Sequence, residues 1–260
     1  MSDQVKYTQK LKGKKVLITG GTSGIGFCVA EASLESGATV IVSSSNPDRV
    51  EKAVKRLQQS YPSAASKISG HAADLGTEDT LDASVKALLE KCGKLDHIIH
   101  TAGDSLAQLS LESAELSQIK QAGMVRFFAP LMIGKHARQY LNPGLESSLI
   151  ITTGSTSERP FPGWTIITSY ATGLQGMTRA LALDLKPIRV NLVSPGAVET
   201  ELWDPMGEEA KSALLKRIEG TLPTGRVPGP EDLAEAYLYL MRDNNITGSM
   251  ISSNGGTLLV

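Results

Sequence analysis

The chain has 260 residues, with 26 lysines and arginines against 27 aspartates and glutamates, which gives a formal net charge of -1. This balance supplies no strong attraction to nucleic acid or to an anionic membrane surface, so we expect neither as a partner. The hydrophobic fraction of 41% and the charged fraction of 20% are ordinary for a globular protein, and they exclude disorder as the main state.

Short β-branched and apolar runs alternate with helical patterns along the chain. We predict strands at 16–19, 39–43, 71–74, 97–101, 149–153, 188–193 and 249–252. Helices are predicted from the glycines after the first strand to about 36, and at 49–60, 80–92, 116–140, 168–185, 208–219 and 231–243. Pro130 is an expected irregularity in the helix at 116–140, because proline cannot donate the backbone hydrogen bond of a helix interior.

Apolar strands joined by helices predict a parallel sheet with helices on both faces, because each crossover lays a helix against the sheet. Right-handed crossovers then give a doubly wound sheet. The pattern contains no linker, low-complexity segment or internal repeat. We therefore predict an α/β fold with a single Rossmann-type domain at 14–260, preceded by an N-terminal extension at 1–13.

A cluster of glycines follows the first predicted strand, in the segment Thr-Gly-Gly-Thr-Ser-Gly-Ile-Gly at 19–26. Glycine at these places allows a tight turn, a close approach of the backbone to a diphosphate, and close packing of the helix on the strand. The helix that follows would offer its free N–H groups to the phosphates. The candidate phosphate-binding residues are Gly20, Thr22, Ser23, Gly24, Ile25 and Gly26.

The pattern T-G-x-x-x-G-x-G resembles the short-chain dehydrogenase/reductase family, and motifs along nearly the whole chain agree with it. They are Asp74-Leu75 at the end of the third strand, Thr101-Ala102-Gly103, Arg189-Val190-Asn191, Ser194-Pro195-Gly196 with Thr200, and Gly255-Gly256. The resemblance implies that the adenine of a dinucleotide lies at Asp74 and Leu75. It also implies that the rest of the cofactor contacts Ala102, Gly103, Pro195, Gly196, Val198 and Thr200.

The end of the second strand indicates which dinucleotide is used. An NAD site would place an acid there to bind the ribose 2′-hydroxyl, but the sequence has Ser44, Ser45 and Asn46, with Arg49 one turn further on. Small donors of this kind can bind a 2′-phosphate, so we expect NADP(H) as the cofactor. The alternative is that these residues only begin a helix, since serine and asparagine are good helix caps.

The usual catalytic residues of the family are missing. The family's chemistry depends on a tyrosine with a lysine four residues later, and on a serine before them, which together deliver a proton while hydride moves. No tyrosine of the chain is followed by lysine at that spacing. Alignment on 176–182 places Ile167 in the tyrosine position, Ala171 in the lysine position, and Gly154 with the adjacent Ser155 in the serine position.

A second alignment deletes three residues after Tyr170. Tyr170 then keeps the tyrosine position and Ser157 the serine position, but Leu174 still replaces the lysine. We prefer the first alignment, because it matches seven helix residues against one coincident spacing. In that alignment Tyr170 is an aromatic residue of a helix surface or interface.

Four residues are candidates for the catalytic site: Arg126, Ser155, Trp164 and Tyr170. Arg126 stands where the family has an asparagine in its long helix. An arginine beside a cofactor cleft is costly unless it is paired or contacts a ligand. It therefore predicts either a surface ion pair or a cation that binds a carbonyl or acidic group of the ligand. Trp164 and Phe161 are expected to shape the cleft, and 208–219 to close over it as a lid.

The segment 153–164, together with Arg126 and 170–174, resembles a divergent fungal group of the family. That group includes the reductase/Diels–Alderases of indole alkaloid pathways, which reduce an iminium with NADPH and then guide a cycloaddition. The resemblance implies functional roles for Arg126 and Trp164. The chain departs from the group at Phe161, where those enzymes have aspartate, and at Pro195-Gly196, where their segment is altered.

Three functions remain open from the sequence. Reduction of an iminium needs no proton, so the preferred hypothesis is an NADP-dependent reductase of secondary metabolism that acts on an iminium-type or otherwise activated small molecule, such as an alkaloid or another polycyclic compound. The second is a cofactor-independent cyclase or isomerase, in which orientation alone supplies roughly 7–11 kcal/mol. The third is a non-catalytic NADP-binding protein.

The resemblance also implies a homodimer or homotetramer formed through the helices at 116–140 and 168–185. Two cysteines cannot form a disulfide framework, and the start of the chain has no apolar signal region, so we expect a cytoplasmic protein. The four histidines show no metal-ligand spacing, and we expect no metal site.

Overall fold

Seven parallel strands form one sheet in the order β3-β2-β1-β4-β5-β6-β7. The computed structural model describes residues 5–260, so the first four residues of the predicted N-terminal extension lie outside the described residues. The strands are β1 Lys15–Thr19, β2 Thr39–Ser44, β3 Ile68–Ala72, β4 His97–His100, β5 Ser148–Thr152, β6 Arg189–Pro195 and β7 Met250–Ser253.

Helices cover both faces of the sheet, which confirms the predicted Rossmann-type α/β fold. They are α1 Gly24–Glu35, α2 Pro47–Ser60, α3 Leu81–Cys92, α4 Leu116–Gly123, α5 Ala129–Tyr140, α6 Thr165–Asp184, α7 Glu208–Glu219 and α8 Pro230–Arg242. Short 3-10 segments lie at Pro62–Lys67, Glu78–Thr80, Ser155–Ser157 and Glu201–Met206. Across residues 5–260, no helix is both long enough and apolar enough to cross a lipid bilayer.

Alternation of side chains along the strands builds one apolar core on each face of the sheet. In β1, Val16 and Ile18 belong to the core covered by α1, α2 and α8, whereas Leu17 belongs to the core under α3, α5 and α6. All three side chains are fully buried, and each such burial stabilises the fold by about 1.5–3 kcal/mol. The strands read as continuous apolar runs because both of their faces are covered.

The order of the strands reverses at β1 and β4, which pair directly. Strands β2 and β3 lie on one side of this pair, and β5 to β7 lie on the other. In open parallel sheets, ligands bind in the crevice outside the carboxyl ends of the strands at such a reversal. The loops that follow β1 and β4, at 19–26 and 101–104, therefore flank the expected binding crevice.

The third strand differs from the prediction at 71–74. It spans Ile68–Ala72, because it pairs with β2 from Val40 opposite Ile68 to Ser44 opposite Ala72. Because the sequence of this strand is only weakly apolar, the hydrophobic pattern did not indicate where the strand begins. Gly70 lies directly under α2, where a Cβ atom would come within 2.4 Å of Val50 Cγ1. Packing against α2 rather than an apolar run decides the position of this strand.

The long helix predicted at 116–140 is divided into α4 and α5 by a π-helical turn at Met124–Phe128. Pro130 is the physical reason, because it lacks the N–H group that would bond to a carbonyl one turn earlier. Pro130 itself lies in the first turn of α5, where this loss is tolerated. The irregularity therefore precedes Pro130. Helix α6 also begins earlier than predicted, at Thr165 rather than at 168.

Candidate active site

The glycine-rich loop after β1 is folded tightly against the loop after β4. Gly20 has a φ of +80°, and a Cβ atom on it would lie 2.5 Å from the amide nitrogen of Ala102. Gly26 is equally confined, because its Cβ would lie 2.4 Å from Thr101 Oγ1. Both positions require glycine for close packing of the loop after β1 against the loop after β4.

Helix α1 begins in this loop with unsatisfied backbone donors. Ser23 is the N-cap residue in an extended conformation, and its side chain makes no capping hydrogen bond. The first N–H groups of α1, around Ile25, are thus free to bind an anion. Thr200 lies across from them, since its Cγ2 is 3.2 Å from a Cβ placed on Gly24. Thr22 is half-buried beside Ser23.

The end of β2 presents polar residues without an acid. Ser44 is half-buried, while Ser45 and Asn46 are exposed. The Asn46 side chain caps α2, because its Oδ1 accepts a hydrogen bond from the Arg49 amide at 3.1 Å. The capping alternative raised by the sequence is thus realised for Asn46. The hydroxyls of Ser44 and Ser45 make no hydrogen bond to the described residues.

Asp74 and Leu75 lie after β3 and not at its end, which corrects the sequence prediction. The Asp74 carboxylate accepts hydrogen bonds from the Gly76 amide at 2.8 Å and from the Thr77 hydroxyl at 2.6 Å. These bonds, with the hydroxyl contributing most, lower the pKa of Asp74. Leu75 is buried in the core. The carboxylate is therefore a fixed, charged acceptor near the carboxyl edge of the sheet.

The cofactor-binding residues predicted after β6 lie against the C-terminal turn. Gly196 donates its N–H to the Ser253 carbonyl at 3.2 Å, and a Cβ on it would lie 2.9 Å from the Asn254 carbonyl oxygen. Pro195 ends β6 and Val198 is buried. The backbone from Pro195 to Val198 is thus tied to the chain terminus and contributes a rigid wall.

Arg126 lies in the π-helical turn and reaches the loop after β4. Its Nε donates to Asp104 Oδ1 at 3.2 Å, and its Nη2 donates to the Asp104 backbone carbonyl. A Cβ on Gly103 would lie 2.7 Å from its guanidinium carbon. Burial lowers the pKa of Arg126, and the Asp104 carboxylate opposes that shift. About 31% of the Arg126 side chain stays exposed, so the ion pair forms part of the crevice surface.

Asp104 is the residue that sequence reasoning missed. It follows directly after Thr101-Ala102-Gly103, so an acid at the end of a cofactor-binding motif was the available signal. The pairing could not be read from the sequence, since Arg126 is 22 residues away. Of the two alternatives for Arg126, the structure shows the ion pair, which lies beside the candidate crevice, while binding of a ligand group stays a prediction.

Tyr170 lies between α4 and α6. Its hydroxyl donates to the Ile119 carbonyl at 2.9 Å, and its ring is 5.2 Å from Phe127 and 5.9 Å from Phe128, centroid to centroid. Burial raises the pKa of this phenol. A Cβ on Gly123 would lie 2.5 Å from the ring. The contacts are those of a packed interface aromatic, as the first alignment expected.

The first alignment places the apolar residues Ile167 and Ala171 in the tyrosine and lysine positions of the usual proton relay. Helix α6 contains no lysine. Ala171, in the lysine position, accepts a hydrogen bond on its carbonyl from Thr153 Oγ1 at 2.8 Å. Ser157, the serine of the second alignment, is buried and accepts a hydrogen bond from Gln175 at 3.2 Å. Ser155 is half-buried at the start of a 3-10 segment.

Two aromatic side chains lie together at the start of α6. The Phe161 and Trp164 rings are 5.3 Å apart at an interplanar angle of 65°. Phe161 is 51% exposed, and Trp164 is the N-cap residue of α6. The segment after β6 adds Trp203, whose Nε1 donates to the Val198 carbonyl at 2.7 Å. The exposed Phe161 ring and the half-buried Trp164 ring can contact a planar, apolar ligand.

The predicted lid has little attachment to the rest of the protein. None of the residues of α7 is buried, which is expected of an element that opens and closes. Among the described residues 5–260 there is no group of three or more His, Cys, Asp or Glu side chains suited to a metal ion.

Comparisons with known proteins agree with the resemblance found in the sequence. A family model described as an SDR-like Rossmann domain matches residues 7–260. The short-chain dehydrogenase/reductase fsr5 of Gibberella fujikuroi is 44% identical over 264 residues, which covers 100% of each chain. The structure of the MalC reductase/Diels–Alderase of Malbranchea aurantiaca is 40% identical, covers 97% of this chain and 99% of its own, and has a TM-score of 0.91. A small-chain dehydrogenase in complex with NADPH is 28% identical, covers 96% and 100%, and has a TM-score of 0.77.

Proposed function

The chain belongs to the short-chain dehydrogenase/reductase family, and from this premise we propose that it is an NADP(H)-dependent reductase of an iminium-type or otherwise activated small molecule. The fungal relatives and the MalC similarity support a place in secondary metabolism. The substrate class that fits the site is a polycyclic, nitrogen-containing compound.

The fit of the cofactor rests on the loop after β1. The confined Gly20 and Gly26 leave backbone N–H groups at the start of α1 open to a diphosphate. Thr22, Ser23, Gly24 and Ile25 would hold the phosphates, with Thr200 opposite. The absence of an acid at Ser44 and Ser45 supports a 2′-phosphate. The remaining proposed contacts are Asn46, Asp74, Leu75, Ala102, Gly103, Pro195, Gly196 and Val198.

The proposed reaction balances without a protein acid. NADPH supplies a hydride when it is bound. An iminium carbon accepts that hydride, the C=N π electrons become the nitrogen lone pair, and the cationic substrate leaves as a neutral amine. A ketone would instead become an alkoxide and require a proton from the protein.

The observation that carries the proposal is the hydrogen bond from Tyr170 to the Ile119 carbonyl. A phenol engaged in this way, with its pKa raised by burial, is a poor proton donor. Helix α6 carries no lysine that could lower that pKa, and the charge of Lys120 on α4 opposes the shift without reversing it. These contacts support the proposal of a hydride-carrier site that works without the usual proton relay.

The ion pair of Arg126 and Asp104 is compatible with a cationic substrate because its two charges balance. A lone guanidinium would repel an iminium, but the Asp104 carboxylate balances its charge. Arg126 Nη1 makes no hydrogen bond to residues 5–260, so it can donate to a carbonyl of the substrate. Phe161 and Trp164 would hold the rings of the substrate, and Ser155 would line the same side.

A cycloaddition is the second candidate activity. The MalC protein, which is described as a reductase/Diels–Alderase, is similar over nearly the whole chain. The exposed Phe161 and the half-buried Trp164 offer an apolar surface on which a flexible diene and alkene could be oriented. Turnover by cofactor-free protein would favour this activity over reduction.

The deciding experiment follows NADPH absorbance with two acceptor panels. One contains permanently cationic N-alkyl dihydroisoquinolinium ions, and the other contains neutral bicyclic ketones of similar size. We expect oxidation of NADPH with iminium acceptors and at least about 100-fold slower oxidation with ketones, the scale of one missing proton donor. Tight NADPH binding without turnover on either panel would instead identify a non-catalytic binding protein.

We also propose a homodimer or homotetramer through α4, α5 and α6. Leu116 at the start of α4 and Leu183 at the end of α6 are 71% and 73% exposed, which is unusual for leucines that face only water. Light scattering after size exclusion would give the mass in solution. A monomeric mass at micromolar concentration would contradict this proposal.

A further inference from the structure

A histidine that the proposed reaction does not use lies directly behind Arg126. His100, the last residue of β4, is fully buried. Its Nδ1 is 2.8 Å from Thr19 Oγ1, and its Nε2 is 2.9 Å from the Val125 carbonyl oxygen. One imidazole therefore joins the ends of β1 and β4 to the residue that precedes Arg126.

The hydrogen bonds fix which nitrogen of His100 carries the proton. A carbonyl oxygen can only accept, so the Val125 contact requires a proton on Nε2. Nδ1 is then the acceptor in the neutral ring, and the Thr19 hydroxyl donates to it. Burial lowers the pKa of His100 to about 4, so the ring stays neutral at physiological pH. The Nε2–H tautomer follows from these partners.

Pro130 explains why the Val125 carbonyl needs this donor. In the π-helical turn the bonds join residues five apart, as in the bond from the Ala129 amide to the Met124 carbonyl. The corresponding partner of the Val125 carbonyl would be the amide of residue 130, which is proline and has no N–H. A buried, unpaired carbonyl costs about 1–3 kcal/mol. His100 supplies the missing hydrogen bond.

From this arrangement we propose that His100 and Thr19 are positioning residues for Arg126. The Val125 carbonyl and the Arg126 side chain belong to consecutive residues of the π-helical turn, and π-helical turns are frequent at functional sites. The hydrogen bond to the Val125 carbonyl fixes the backbone of the turn, and the backbone sets the direction in which the Arg126 side chain points. The guanidinium then reaches Asp104 and lies against Gly103.

The position of His100 in the chain supports a functional purpose for this contact. Gly103 and Asp104 are only a few residues beyond His100 on the same loop. The ion pair joins two segments, the loop after β4 and the π-helical turn. His100 contacts the turn and is continuous with the loop, so it fixes the distance between them. A buried imidazole used for packing alone would need no donor aimed at this carbonyl.

The test compares variants that keep or remove the donor to Val125. His100→Leu removes it, whereas His100→Gln can still donate from its amide nitrogen. We expect His100→Leu to lower kcat/KM for a dihydroisoquinolinium acceptor by about 10- to 100-fold, the scale for a misplaced contact. We expect His100→Gln to restore much of that loss, and the dissociation constant of NADPH to change by less than about 2-fold in both.

A double-mutant cycle with Arg126→Ala separates positioning from general damage. If His100 acts through Arg126, His100→Leu changes kcat/KM by less than about 2-fold once Arg126 is removed. An equal loss in both backgrounds would overturn the proposal. If His100→Leu does not fold, Thr19→Val is compared in the same two backgrounds, with Thr19→Ser as its control. An equal loss of kcat/KM with and without Arg126 would again overturn the proposal.

The proposal rests on the proposed function for its kinetic part, so one measurement avoids turnover. Nitrogen-15 NMR of uniformly labelled protein should show the Nε2–H tautomer of His100, and the Arg126 Nε–H signal should shift in His100→Leu and in Thr19→Val but little in His100→Gln. An unshifted Arg126 signal would refute the positioning role whatever the reaction is. Failure of iminium reduction with a shifted signal would refute only the proposed function.

Discussion

The guanidinium of Arg126 lies against the backbone of Gly103, so closely that a Cβ atom at Gly103 would be 2.7 Å from its Cζ, Nη1 and Nη2 atoms. Gly103 does not have a positive φ, so its glycine is required by this contact and not by the backbone conformation. A methyl group at Gly103 would displace only the flexible end of the Arg126 side chain. A substitution at Gly103 therefore directly changes the position of the Arg126 guanidinium.

Gly103→Ala should therefore impair binding without harming the fold. We expect the affinity for a cationic acceptor to fall about tenfold, equivalent to about 1.4 kcal/mol, as the guanidinium is pushed aside. Stability should be unchanged or raised by up to about 1 kcal/mol, because alanine restricts the unfolded chain. Calorimetric titration and thermal unfolding measure the two effects. Gly176→Ala, in open space on α6, is the control and should not alter binding.

Asp104→Asn tests the charge balance of the ion pair. The amide keeps the size of the carboxylate but leaves the Arg126 charge uncompensated. We expect a dihydroisoquinolinium ion to bind about tenfold more weakly, or about 1.4 kcal/mol, while a neutral tetralone is not weakened. Asp82→Asn, an exposed change of equal net charge on α3, should leave both affinities unaltered. Equal weakening of both ligands would contradict the charge argument.

Tyr170→Phe distinguishes a packing residue from a proton donor. Removal of the hydroxyl leaves the Ile119 carbonyl without its partner, which should lower the free energy of unfolding by about 1 kcal/mol. We expect kcat with an iminium acceptor to stay within about threefold of wild type, whereas loss of a general acid costs about 10²- to 10⁴-fold. Tyr239→Phe, which breaks an exposed bond to Asp243, is the control for hydroxyl removal.

Ser44→Asp tests the preference for the 2′-phosphate. An acid at the end of β2 favours the free 2′-hydroxyl of NADH and repels the 2′-phosphate of NADPH. We expect the ratio of the NADPH and NADH affinities to shift toward NADH by at least about tenfold, or about 1.4 kcal/mol. Fluorescence titration of the reduced nicotinamides measures both constants. Ser44→Ala, which adds no charge, should shift the ratio much less.

Two buried histidines should make the fold sensitive to mild acid. Burial lowers the pKa of His97 to about 3, with repulsion from Arg189 as a second cause, and the pKa of His100 to about 4. The unfolded chain takes up these protons near pH 6.5 and the folded chain does not. Stability due to the neutral rings is therefore complete above pH 6.5 and is lost as the pH falls toward those values.

Urea unfolding between pH 7.5 and 5 measures this loss. Each histidine should contribute a slope approaching about 1.4 kcal/mol per pH unit below pH 6. His97→Asn keeps a hydrogen-bonding group for Ser148 and removes one titrating ring. The free energy of unfolding of His97→Asn should change less steeply with pH than that of wild type, by the contribution of one histidine. An unchanged slope would show that other groups dominate the acid sensitivity.

The missing tyrosine–lysine spacing is a property of the sequence itself. No tyrosine is followed by lysine at the spacing of four, so no alignment can restore that motif. The glycine pattern at 19–26 is similarly informative, because only glycine permits the approach of Gly20 to Ala102. Both inferences depend on residue types and short spacings, which the chain shows directly.

The surroundings of Tyr170 and Arg126 needed the structure. Whether Tyr170 turns toward a cofactor or toward α4 depends on the rotation of α6, and this follows from packing on Phe127 and Phe128. The partner of Arg126 depends on where the π-helical turn begins. Pro130 is visible in the sequence, but the carbonyl that loses its donor is decided by the helix geometry around it.

Residue patterns along the chain were enough to predict the α/β sheet, the glycine-rich loop and the missing tyrosine–lysine spacing, because each rests on hydrophobic periodicity or on residues close together in the chain. The folded arrangement was needed to show that Asp104 pairs with Arg126, that His100 bonds to the Val125 carbonyl, and that β3 ends before Asp74. Those contacts join separate segments, and their distances are set by helix phase and sheet register rather than by local pattern.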